Sequence, residues 1–299
     1  MLSDSLSRRK GIAFGLLAAL IWSGHSIVSS LGLAAGLDAY DLTALRIMAN
    51  LVIFLPVILF SKPHQRAGIT LPRGLMLALC AGASFSVVIT SALVFAPVTH
   101  SAAISLGTVP LFAFLLMLVF GNSRFQLSFA LALVLLLSGI ILTTVASDQP
   151  DLRDDYWIGD LMFMCGAMMW ASYAFLGRRW NISAIYGVAV TNFLSAPYLL
   201  FYFFYTEPGL SQASIPQLLF QLLYQGLLVG GVALICYIRS VTLLGVEKGA
   251  LFTALAPVGV MVLGALILGY QPVSAEIIGM ILVTAGMVTA LLQVKQKTD

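Results

Sequence analysis

The sequence predicts an all-α integral membrane protein with ten transmembrane helices in two inverted five-helix repeats. Three observations lead there. The 299 residues are 60% hydrophobic and only 9% charged, where a soluble domain carries roughly 25% charge. The apolar residues gather into runs of about 20, the length at which a helix crosses the hydrocarbon of a bilayer. Helix is also the form in which a segment satisfies its own backbone N–H and C=O groups where lipid offers no partner. Finally, a spacing returns: Gly11 and Trp22 are 11 positions apart, and so are Gly159 and Trp170, each 148 positions further on.

The first span, 11–33, contains no acid, Lys or Arg between Gly11 and Gly32. Its polar seam is Trp22, His25, Ser26 and Ser29, which at helical spacing share a face about 100° wide. A face of this kind looks into protein or water rather than lipid. Arg8-Arg9-Lys10 ahead of an apolar run resembles the start of a secretory signal. The run is longer than the roughly 7–15 residues of such a signal, so it is expected to be a retained first helix.

The second span, 41–60, carries Arg46, expected to snorkel outward or to pair with Asp38 or Asp41. The third and fourth, 71–97 and 99–121, are divided only by Pro97-Val98, but the stretch 75–120 is long enough to need two crossings. The third offers Ser84, Ser91 and Phe95 on one face. The fourth offers Ser101, Ser105 and Thr108 at i, i+4 and i+7, and begins with His100, expected at the outer interface. Such hydroxyls either meet a solute or let helices approach closely.

The fifth span is 127–146. The sixth, 157–177, echoes the first and adds Tyr173 one turn beyond Trp170. The seventh is 185–206. The eighth, 215–240, has polar character from Tyr224, Gln225, Tyr237 and Arg239, with Tyr237 placed to close a cytoplasmic gate. The ninth and tenth are 246–269 and 275–292. Pro110 and Pro257 lie 147 positions apart, each removing a mid-helix donor. They are candidate hinges or static kinks. Ala103 and Ala250, and Gly139 and Gly286, keep the same offset of 147. Five helices per unit force the two units into opposite orientations, the arrangement in which secondary transporters hold solute near the midplane.

Charge sets the orientation. With the N-terminus inside, 13 of the 15 basic residues fall in inner segments, leaving only Arg153 outside and Arg46 within a span. Both termini are therefore expected in the cytoplasm. The expected organisation is a cytoplasmic tail 1–10, a first repeat 11–146, an acidic outer linker 147–156, a second repeat 157–292 and a cytoplasmic tail 293–299.

No His-Glu-x-x-His, phosphate-binding Gly-x-x-x-x-Gly-Lys or GxSxG elbow occurs. Cys80, Cys165 and Cys236 sit in separate apolar segments without paired spacing and read as small core residues. No catalytic residue, metal, cofactor or nucleic-acid partner is expected. The driving force is a gradient of solute or protons, and His25, the one titratable residue of the first span, is the candidate for contact with either.

AALIWSG at 18–24, LTALRI at 42–47 and THSAAISLGTVPLF at 99–112, followed by EKGALFTALAPVGVMVLGALILG at 247–269 and IIGMILVTAGMV at 277–288, resemble the drug/metabolite transporter superfamily, in particular its ten-helix EamA-type branch. The resemblance covers nearly the whole chain. It departs at Asn122 and Tyr270, where family members usually carry Glu, and in a first helix without the acid that smaller four-helix relatives use for proton coupling.

The resemblance implies export of small organic solutes, amino acids foremost, across the cell inner membrane, with drug or nucleoside efflux as the alternative. Sugar-phosphate exchange would ask for basic residues in the cavity, and these gather at the inner loops. A membrane-embedded enzyme or receptor is the alternative from another class. The candidate cavity residues are Trp22, His25, Ser26, Ser84, Ser91, Ser105, Trp170, Tyr173 and Tyr237, each with ordinary helix packing as its other reading.

Overall fold

The computed structural model describes residues 2–120, 127–145, 154–206, 209–244 and 251–293. Asn122, Arg124, Glu247, Lys248, most of the acidic linker and the tail from 294 onward lie outside the described residues. Among the described residues every regular element is helical.

Among the described residues seven helices are long and apolar enough to cross a membrane: α1 (Leu2–Ala34), α2 (Ala39–Phe60), α3 (Leu71–Phe95), α4 (Val98–Phe120), α6 (Tyr156–Arg179), α7 (Ala184–Tyr205) and α8 (Ile215–Leu244). Three apolar helices are shorter: α5 (Leu127–Val145), α9 (Leu251–Leu255 followed by Ala256–Ile267) and α10 (Ser274–Gln293). α1 begins at Leu2, so most of the expected tail continues the first helix.

Local chemistry places the ends. Asp38 caps α2 by accepting from the Asp41 N–H at 2.7 Å while the Asp41 carboxylate accepts from the Asp38 N–H at 2.9 Å. Pro97 supplies the break between α3 and α4, its ring fixing φ at −70° and its ψ at 164° extended. α3 is interrupted at Gly82, where the backbone leaves helical geometry. The N–H of Ala83 freed there donates to Ser195 Oγ at 3.2 Å, and Ser195 marks the interruption of α7 between Leu194 and Pro197. The break in α3 is thus satisfied by a side chain of α7, while Ser195 Oγ itself donates to the Thr191 carbonyl at 2.8 Å. α4 contains a wider π-helical segment, Ser101–Leu106, ahead of Pro110, whereas α9 opens as a tighter 3₁₀ segment and has Pro257 in the first turn of its α-helical part.

The helices pack in a repeating scheme. α1 lies against α8 and α9, and α6 lies against α3 and α4. α2 packs on α8 and α7 packs on α3, while α2 meets α7 and α5 meets α10. α5 and α10 approach closely. A Cβ on Gly139 would stand 2.6 Å from Gly279 O and 2.7 Å from Val283 N. A Cβ on Gly286 would stand 2.8 Å from Leu136 N and 3.0 Å from Ala132 O. Backbone touches backbone on both sides, as small residues allow in lipid. Large apolar side chains face outward, Val52, Phe60, Phe204 and Leu266 among them, each at least 75% exposed.

Gly139→Val and Gly286→Val are expected to cost about 1–3 kcal/mol each by overpacking, read as a lower melting temperature of the purified protein in detergent. Gly177→Ala, with nothing within 4 Å of its added Cβ, is expected to melt with the unaltered chain.

Candidate functional site

A cavity of about 730 Å³ opens between the two halves of the bundle. Residues of α1 to α4 and α6 to α9 line it; among the described residues none from α5 or α10 does. α1 contributes Trp22 and His25, and α6 contributes Trp170 and Tyr173. These four come in matched pairs, since positions 22 and 170, and 25 and 173, stand 148 apart. Trp22 packs on Tyr237 of α8 with ring centroids 5.3 Å apart, and Trp170 packs on Phe85 of α3 at 5.6 Å. Tyr173 stacks on Trp170 at 5.6 Å and 29°. Each half therefore supplies an aromatic wall.

Polar groups complete the lining. Ser105 and Thr253 bring hydroxyls from α4 and α9, and Arg46 brings a guanidinium from α2. His25 is held in orientation: its Nδ1–H donates to Gln225 Oε1 at 2.6 Å. The direction follows from the amide itself, whose Nε2 donates to Ser29 Oγ at 3.0 Å and reaches Gln221 Oε1 at 3.4 Å. Gln221 in turn donates to the Val28 carbonyl at 2.7 Å. This chain of amides ties α8 to α1 and leaves Nε2 as the ring nitrogen outside the bond to Gln225.

The cavity reaches one end of the bundle, where Arg178, Asn181, Ile182 and Ser183 of the α6–α7 connection form its rim. Gly68 of the α2–α3 connection lies at the same end; a Cβ there would stand 2.5 Å from Trp180 O. The other end is tied shut. His100 is fully buried and its Nδ1–H donates to Asp160 at 2.8 Å, joining α4 to α6. The Tyr156 ring meets His100 edge-on with centroids 5.7 Å apart. Asp41 accepts from Tyr202 Oη at 2.5 Å and from the Gly209 N–H at 3.0 Å, joining α2 to the end of α7 and the turn beyond it. Tyr198 Oη donates to the Tyr40 carbonyl at 2.9 Å nearby.

The structure brings together Trp22, His25, Ser105, Trp170, Tyr173 and Tyr237 of the residues singled out in the sequence. It places the others apart from the cavity lining. Ser26 is buried and shares a hydrogen bond with Ser101 at 3.0 Å. Ser84 donates to the Leu79 carbonyl at 2.6 Å, and Ser91 is half-buried on α3. Two expectations are corrected. Arg46 pairs with neither Asp38 nor Asp41, because those carboxylates are engaged with backbone and Tyr202, and it lines the cavity instead. His100 is an interior partner of Asp160 rather than an interfacial residue. Phe85 and Gln225 were not legible as site residues. Gln225 stood out as polar in an apolar span, but its partner His25 is 200 positions away.

The model of the EamA-like transporter family matches residues 9–145 and again 157–292. No curated protein matches the chain. A solved structure titled only "Crystal structure of protein" aligns with a TM-score of 0.67 at 18% identity, over 97% of this chain and 99% of that one; this likeness concerns the fold.

Removing either member of the buried His100–Asp160 pair, as in Asp160→Asn or His100→Asn, is expected to cost about 1.5–3 kcal/mol, the range for hydrogen bonds to charged groups. A double-mutant cycle on melting in detergent checks it: the two losses should not add, because the residues are in direct contact and their contributions are coupled.

Proposed function

The chain belongs to the EamA-like transporter family, matched by residues 9–145 and 157–292, and from that premise we propose that it exports small organic metabolites as a secondary transporter. Membership makes it a multi-pass membrane transporter of the drug/metabolite superfamily, whose family is one of transporters rather than enzymes. The proposal concerns mechanism and cargo: alternating access of a midplane cavity between two inverted five-helix repeats, with amino acids or metabolites of their size as cargo.

The observation that carries it is the cavity walled from both halves by the matched residues Trp22 and Trp170. The duplicated family match supports the repeat, its segments starting 148 and ending 147 positions apart. So does the packing, in which α1 on α8 and α9 mirrors α6 on α3 and α4. The volume, about 730 Å³, suits a small organic solute, since ligand pockets run roughly 300–1,000 Å³. The aromatic walls suit an amphipathic one.

The basic residues Arg66, Arg73, Arg178 and Arg179 gather at the end to which the cavity opens. The positive-inside rule makes that end cytoplasmic. On this reading the chain sits in the inner membrane with both termini inside and accepts solute from the cytoplasm. Pro110 serves as a hinge inside α4, depriving that helix of one hydrogen bond, whereas Pro257, expected in mid-helix, stands in the first turn of the α-helical part of α9 and would hinge at its junction with the 3₁₀ segment. His25, oriented by Gln225, exchanges a proton or touches solute through Nε2. A second reading, efflux of drugs or nucleosides, is favoured by the aromatic lining alone.

Proteoliposomes containing the purified chain test this. Saturable flux of radiolabelled amino acids is expected, falling at least about tenfold in a Trp22→Ala/Trp170→Ala double substitution, as loss of two aromatic walls implies. Absence of flux for every amino acid from protein that melts cooperatively would reject them as cargo and direct the assay to nucleosides. His25→Gln is expected to alter the pH dependence of flux; a profile and rate equal to those of the unaltered chain would remove His25 from the mechanism.

A further inference from the structure

The cavity has a charge that no described acidic residue balances. Arg46 is the basic residue of α2, five positions past Asp41 in a largely apolar helix whose other buried polar side chains, Thr43 and Asn50, hydrogen-bond to Ser86 and Asn192. Among the described residues the only ion pair is His100–Asp160, and no Asp or Glu lines the cavity. The two carboxylates nearest to Arg46 in sequence are spent, Asp38 on the cap of α2 and Asp41 on Tyr202 and Gly209. A cation at membrane depth is costly, and it persists where it pairs or faces a water-filled space that serves a solute. Arg46 faces such a space. Arg178, the other cation on the lining, lies in the last turn of α6 at the rim, where water reaches it.

We infer that Arg46 is an anion anchor: the solute presents a carboxylate to its guanidinium and an apolar or aromatic body to the rings of Trp22, Trp170 and Tyr173. The inference rests on the transporter reading and narrows its cargo. A guanidinium offers paired N–H donors that match the two oxygens of a carboxylate, and its charge does not titrate away. The rings supply an apolar body with contact area and no competing charge.

The cavity also discriminates by net charge. A zwitterion satisfies Arg46 with its carboxylate but brings an ammonium for which no carboxylate is present among the lining residues. That ammonium finds ring faces and neutral acceptors such as Ser105, Thr253 and His25 Nε2, weaker partners than a carboxylate. A monoanion leaves no such group unpaired, and a cation is repelled. Among solutes of one carbon skeleton the order of binding is therefore monoanion, then zwitterion, then cation.

Three probes share the phenylethyl skeleton: 3-phenyllactate, phenylalanine and phenethylamine. Calorimetric titration of the full-length chain in detergent is expected to give a Kd for 3-phenyllactate about tenfold or more below that for phenylalanine, with no binding of phenethylamine; one charge-assisted interaction gained or lost is of that size. Arg46→Gln should lose that factor and abolish the preference, while Arg46→Lys, which keeps the charge but not the fork, should retain part of it. The order of the three probes on the unaltered chain tests the inference even where Arg46→Gln does not fold.

Equal or tighter binding of phenylalanine, binding of none of the three probes, or unchanged 3-phenyllactate binding by Arg46→Gln would each overturn it. Flux measured separately keeps the two readings apart. Phenylalanine flux without an anion preference overturns the anchor and leaves the transporter. Arg46-dependent binding with no flux of any probe leaves the anchor and overturns the proposed export of such solutes.

Discussion

Lipid offers no hydrogen-bond partner, and the arrangement of this chain follows from that one constraint. Ser23, Asp41, Asn50, Thr90, Gln225 and Glu276 are almost wholly buried, while Val52, Phe60, Phe204 and Leu266 are exposed. The inversion relative to a soluble protein is what a hydrocarbon surround demands. Buried polar groups then join helices that are distant in sequence: Ser26 to Ser101, Asn50 to Asn192, His25 to Gln225, Ser195 to the backbone of Ala83. Arg46, which has no ion pair among the described residues, borders the cavity. The cavity and the polar ties are two outcomes of the same pressure.

The legible part of the fold was the part written as length and period. Apolar runs of membrane-spanning length, the break at Pro97 and the recurrence of Gly and Trp at a constant offset need no knowledge of which helix touches which. The aromatic walls were legible for the same reason, because Trp22 and Trp170 announce themselves by matched position. What stayed hidden depends on pairing. Arg46 reads as a residue near two acids of its own helix end, and only the packing of Tyr202 and Gly209 onto Asp41 reveals that those acids are taken. His100 reads as interfacial until α6 delivers Asp160 beside it. Phe85 is one apolar residue among many until it meets Trp170. Interruptions within helices were hidden too. Gly82 and Ser195 break α3 and α7 at a shared contact that neither segment encodes alone.

The kinds of contact between the halves differ from place to place, and that difference bears on how an alternating-access cycle would run. At the closed end the halves are joined by side chains: His100 of α4 with Asp160 of α6, and Asp41 of α2 with Tyr202 of α7. Water can replace such bonds when that end opens, so the net loss per bond is modest, about 0.5–1.5 kcal/mol for a neutral one and more where a charge takes part. Between α5 and α10 the halves are joined by backbone packed on glycine, with Gly139 against Gly279 and Gly286 against Leu136. Water cannot replace that contact at membrane depth; separating it forfeits dispersion outright and leaves a gap. Among the described residues none of α5 or α10 lines the cavity. In an alternating-access cycle the cheapest relative motion would keep α5 with α10, and equally α6 with α3, where a Cβ on Gly159 would stand 2.7 Å from Ala92 O and 2.9 Å from Ala96 N. It would exchange side-chain bonds such as Asp41–Tyr202 for water at one end of the bundle while the rim residues from Arg178 to Ser183 come together at the other.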